Sequence, residues 1–139
     1  MKKSISLFTL LLACSFLLMS CSNSKIEIPK DNIVEIGIST LPYSDSYERI
    51  YTDSEKIAAV VDYLSGLKLK DNFPENPDEY AGMAFIITVS YEDGKTEKYN
   101  HFGNMFLGKI EDDKIDWYRM AYKDAEQFYT VVQKNLSDN

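Results

Sequence analysis

The chain has 139 residues, which suits one small domain and leaves no room for a second core. Its 45% hydrophobic and 13% aromatic content rules out global disorder. A formal net charge of −7, carried by scattered acids, argues against nucleic acid or an anionic lipid surface as a partner of the domain as a whole.

The opening segment places Lys2 and Lys3 before an apolar run from Ile5 to Met19, then small Ser20 and Cys21. This is the layout of a secretory signal peptide. The run covers about 15 residues, roughly 22 Å as a helix, against a hydrocarbon core of about 30 Å. Removal is therefore expected rather than membrane spanning. Leu18 to Cys21, "LMSC", resembles a bacterial lipobox. That resemblance implies that residues 1–20 are a lipoprotein signal peptide, that diacylglycerol alkylates the Cys21 thiol, and that Cys21 becomes the first residue of the mature chain. "LLAC", Leu11 to Cys14, is a weaker match because more apolar sequence follows it. The expected location is the extracytoplasmic side of the cell membrane, held by lipid, since two acyl chains pass a threshold that one chain barely reaches.

Processing in this way removes Cys14 and caps Cys21, leaving no thiol for catalysis, zinc or a disulfide. It also removes two lysines and no acid, taking the net charge from −7 to −9. Residues 21–32, the lipidated Cys and a polar stretch with Pro29, read as a tether, although Ile26 and Ile28 leave open an early strand. Residues 33–139 read as the single folded domain.

Within it, "IVEIGIST" alternates Val34, Ile36 and Ile38 with Glu35, Gly37 and Ser39, a half-buried strand. Pro42 and Asp45 then predict a turn before a short strand from Tyr47 to Tyr51. Ile57, Val60, Val61 and Leu64 mark one face of a helix, with Thr52 and Glu55 as a capping box and Gly66 as a left-handed C-cap. "KLKDNFPENPDEYAG" reads as a long loop. Asp93-Gly94 predicts a type I′ hairpin between an interior strand, apolar on both faces at Ile86 and Ile87, and a more polar one nearer solvent. "MFLGKI" and "KIDWYRM" form another hairpin around "EDD". Ala125, Phe128, Val132 and Leu136, with Tyr129 beside them, mark a second amphipathic helix.

The fold class is therefore α+β: a mostly antiparallel sheet with two amphipathic helices on one face. This order, with "GKTEKY" after the Asp-Gly turn and an aromatic strand leading into the last helix, resembles small uncharacterised domains on lipoproteins of low-GC Gram-positive bacteria. The likeness spans about Ile33 to Leu136 and implies no catalytic residue.

Little else points to chemistry. His101 is the only histidine, so a multi-histidine metal site is excluded and His101 reads first as structural. "PENPDEY", with Glu75, Asp78 and Glu79, and "EDDKID" lack the ligand spacing of a calcium loop and read as solvated. No nucleophile elbow, P-loop or dinucleotide fingerprint is present. No cofactor, no metal and no enzymatic activity are expected.

What remains is aromatic. Tyr91, Tyr99, Phe102, Phe106, Trp117, Tyr118 and Tyr122 crowd the meander, and strand alternation prevents all of them from entering one core. They either pack beneath the helices and along the edge, or some form a binding platform, for which Tyr91, Tyr99, His101, Phe102, Trp117 and Tyr118 are the candidates. The expected function is a ligand- or protein-binding accessory module, its partner an envelope protein, peptide or glycan. The alternative is a small envelope hydrolase, or an inhibitor of one, using His101 and an acid such as Asp116.

Overall fold

A computed structural model describes residues 24–41, 48–71, 73–103 and 105–136. The expected signal segment with Cys21, and the predicted turn at Pro42 and Asp45 with Tyr47, lie outside them. The strands are β1 (Ile33–Leu41), β2 (Glu48–Tyr51), β3 (Leu69–Lys70), β4 (Ala84–Tyr91), β5 (Thr96–Phe102), β6 (Phe106–Glu111) and β7 (Lys114–Met120). Helix α1 spans Ser54–Gly66 and α2 spans Tyr122–Leu136. All strands join one antiparallel sheet in the order β2-β1-β4-β5-β6-β7-β3. The fold is a mixed α+β arrangement dominated by this sheet.

Alternation fills one core. Ile36 and Ile38 of β1 and Phe85, Ile87 and Val89 of β4 are buried in one cluster with Val60, Val61 and Leu64 of α1 and Ala125, Phe128 and Val132 of α2. Each of these side chains except Ala125 contributes about 1.5–3 kcal/mol by leaving water. The expected Val34 is instead exposed. The register slips between Ile33 and Glu35, and this extra residue turns Ile33 inward and Val34 out. The side chain of Leu136 lies outside the described ones.

Several local expectations need correction. The N-cap of α1 is Asp53, not Thr52: its carboxylate accepts from the Glu55 and Lys56 N–H groups at 3.0 and 3.1 Å. Gly66 ends the helix without a left-handed turn, and Leu67 follows with extended backbone. At Asp93-Gly94 only Gly94 has positive φ, so the loop is a type I turn closed by a glycine bulge. The type I′ backbone occurs at Asp112-Asp113, with φ of 46° and 64° between the paired Glu111 and Lys114. β5, expected nearer solvent, is the middle strand, and its Tyr99, Asn100 and His101 are all buried.

The N-terminal boundary also moves. Ile26 and Ile28 are buried in the main core, and Ser24 pairs with Leu69. Residues 24–32 are thus part of the packed domain rather than a free tether. The supposed loop after α1 begins with β3, which two residues could not reveal by period. Among the described residues, no helix is long and apolar enough to cross a membrane.

Candidate binding surface on the sheet

Register places the aromatic residues on opposite faces. On the side that carries Phe85 and Ile87, cross-strand pairing aligns Phe85 with His101, His101 with Leu107, and Leu107 with Tyr118. On the other side Ile86, Asn100, Gly108 and Trp117 form one row, and Ala84, Phe102, Phe106, Arg119 and Lys70 form the next. The six residues expected to make one platform are therefore divided. Phe102 and Trp117 share the second face, and Tyr91, Tyr99, His101 and Tyr118 belong to the first.

Those four are committed to the interior. Tyr99 and His101 are fully buried, Tyr91 nearly so, and Tyr118 packs against the main core. The Tyr99 and Tyr91 hydroxyls donate to one oxygen of Glu97 at 2.9 and 3.2 Å, while Lys95 approaches the other at 2.7 Å. Burial would raise the Glu97 carboxyl, but the hydrogen bonds from Lys95, Tyr99 and Tyr91 outweigh it and hold the group below its ordinary range. Burial, reinforced by the Glu97 charge, pushes Tyr91 up to about 12 and Tyr99 higher still.

His101 stacks on Phe128 with centroids 4.1 Å apart, and its Nε2 shares a 2.8 Å hydrogen bond with the Tyr63 hydroxyl. Burial lowers its pKa to about 4, so the imidazole is neutral. Burial raises Tyr63, with the Asp124 charge adding to it. A general base must reach solvent-borne substrate, and this ring has no exposed surface. Asp116 lies exposed on β7 opposite Lys109. The geometry does not support the hydrolase reading built on these two residues. Among the described residues, no group of three or more His, Cys, Asp or Glu is placed to hold a metal.

The second face has its own apolar cluster. Phe106 is buried yet separate from the main core. Around it stand Phe73 at 5.4 Å and Tyr80 at 5.2 Å from the loop after β3, with Phe102 at 6.4 Å and Trp117 at 6.5 Å from the sheet. The loop is strapped down. Glu75, expected to be solvated, pairs with Arg119 of β7, and the Gly103 N–H donates to the Met83 carbonyl at 3.0 Å. Between these ties the Asn76 side chain caps a 3-10 turn at Pro77–Glu79 and Pro77 is buried.

Trp117 lies over Gly108. A Cβ built there would stand 3.0 Å from the indole and 2.4 Å from Ile115 Cγ2. The surface left open comprises half-buried Phe102 and Trp117 with Tyr80 and Ile115, each 39% exposed. Such a patch on a rigid sheet can receive a flat apolar or sugar surface with little ordering cost. Comparison with family models, curated proteins and solved structures found no match. Tyr80 and Tyr63 were missed as members of either site. The only signal for Tyr80 was an aromatic residue closing a loop rich in proline and acids.

Proposed function

We propose that the chain is a lipid-anchored protein of the extracytoplasmic membrane surface that acts as a binding or accessory module through the second face of its sheet. In this reading the two amphipathic helices cover the first face, Phe128 lying against Phe85 and His101, and thereby leave the second free for a partner. The observation that carries it is the partly exposed set of Tyr80, Phe102, Ile115 and Trp117 around the buried Phe106. The partner is an envelope protein, peptide or glycan, because an aromatic patch offers large contact area at low entropic cost. The anchor rests on the lipobox-like sequence before Cys21.

Two measurements test the two halves. Intact mass of the protein from its native host is expected to show loss of residues 1–20 and added diacylglycerol; a retained initiator methionine and no added lipid mass would remove the anchor. Trp117 is the only tryptophan, so its emission reports the face directly. Cell-wall glycan fragments and envelope peptides are titrated while emission is read, and one class is expected to shift it, with the shift lost in Phe102→Ala. If no class changes the emission, the binding face is rejected.

A further inference from the structure

The lipid anchor, if attached at Cys21, reaches the fold at one edge of the sheet. Ser24 pairs with Leu69: the Ser24 N–H donates to the Leu69 carbonyl at 3.0 Å and the Leu69 N–H returns to Ser24 at 3.3 Å. The Ser24 hydroxyl also donates to Asp71 at 3.2 Å. Cys21 is three residues earlier, a covalent reach of at most about 11 Å. β3, one strand spacing beyond Ser24, must then sit within about 16 Å of the lipidated residue.

The residues flanking Leu69 are Lys68 and Lys70, both exposed. With Arg119, Met105 and Tyr122 they line an open cleft of about 550 Å³. Arg119 is engaged by Glu75, and Asp124 accepts the Lys68 backbone N–H, but neither lysine side chain has an ion-pair partner among the described residues. The β3 end also carries Asp71, Glu75 and Asp124, so its charge is mixed, whereas the opposite end of the sheet is the more acidic. Glu92, Asp93, Glu111, Asp112 and Asp113 occupy the two hairpin tips, all exposed, with Lys95 and Lys114 beside them. β7 alone separates Lys114 from Met120 by about 20 Å.

We infer that the cleft of Lys68 and Lys70 docks on an anionic phospholipid headgroup, fixing the lipidated domain with its β3 edge down and its hairpin tips away from the bilayer. The overall negative charge opposes approach from solution, but an anchored chain experiences the charges within a Debye length, about 8 Å, of the surface. Near an anionic surface each lysine is expected to favour the docked state about fivefold. Exposed Tyr122 adds an amphipathic ring at the same edge.

The inference rests on the lipoprotein reading, and the test separates the two. Full-length protein carrying Lys123→Cys or Lys114→Cys is produced in a lipidating host, its acylation is checked by intact mass, and the new thiol is labelled with a fluorophore. In vesicles containing an anionic phospholipid, a lipid-borne quencher is expected to quench the label at position 123 more than at 114. The difference should shrink in purely zwitterionic vesicles, and Lys68→Glu with Lys70→Glu should abolish it. A lipidated protein with equal quenching at both positions, or with a difference insensitive to lipid charge and to the double variant, would overturn the docking alone. An unlipidated product would overturn the anchor and the docking together.

Discussion

Tyr63 on α1 and His101 on β5 share one hydrogen bond, 2.8 Å long, inside the core, where the imidazole lies against Phe128 and its Nδ1 finds no partner. This contact ties helix to sheet, and both partners are polar. Removing one leaves the other buried without a bond, which costs about 1–3 kcal/mol. Tyr63→Phe is therefore expected to destabilise the fold by that amount in urea unfolding. His101→Leu combined with Tyr63→Phe should cost less than the two single losses added, because the second change removes an already orphaned group.

The same burial makes stability depend on pH. His101 has a folded pKa of about 4 against an ordinary 6.5, so between those values the unfolded chain binds a proton that the folded chain refuses. Stability is then full above about pH 6.5 and falls as pH drops through the folded value, by on the order of 3 kcal/mol. Urea midpoints measured across this window should decline, and His101→Leu should flatten the decline above pH 4.5. A slope unchanged by that substitution would assign the loss to other groups.

Glu97 joins two phenols that the sequence reading offered to a ligand. Glu97→Gln keeps the shape but removes the charge that receives the Tyr91 and Tyr99 hydroxyls. A loss of about 1.5–3 kcal/mol is expected, the usual scale of a charged hydrogen bond. Ultraviolet titration should also show the Tyr91 phenol, held near 12 in the native protein, moving down toward its ordinary value. The carboxyl itself contributes stability above its unfolded pKa that is lost as pH falls through its lowered folded value. That loss lies on the acid side of the His101 effect.

Much of this fold was legible because period reports burial. Val60, Val61 and Leu64 recur at helical spacing and Ile36 and Ile38 at strand spacing, and all five are buried. Period fails where an element is too short, as at Leu69–Lys70, or where a single slip reverses the faces, as at Val34. It also says nothing about which polar groups will find partners. β5 reads as a solvent-side strand because Tyr99, Asn100 and His101 look polar, yet Glu97 and Tyr63 satisfy two of them and allow the strand to occupy the middle of the sheet. The division of aromatics between faces depended on the cross-strand register of β5, β6 and β7, which alternation within any one strand does not specify. Trp117 and Phe102 were legible as candidates; the loop that completes their cluster through Phe73 and Tyr80 was not.

Gly108 offers the sharpest test of that cluster. It is buried under the Trp117 ring, and an added Cβ would meet Ile115 Cγ2 at 2.4 Å and the indole at 3.0 Å. Neither neighbour is a freely swinging chain end, since the Ile115 methyl moves only with its branch point and the indole lies beside Phe106 and Phe102. Gly108→Ala must therefore turn Ile115 aside and push the indole slightly off the strand, and overpacking of this kind costs about 1–3 kcal/mol. Because no other tryptophan contributes, the emission maximum of the folded variant should move to the red as the ring gains water. A variant with unchanged emission and unchanged stability would mean that the indole does not lie on Gly108, and the aromatic face proposed as the binding surface would lose its central member.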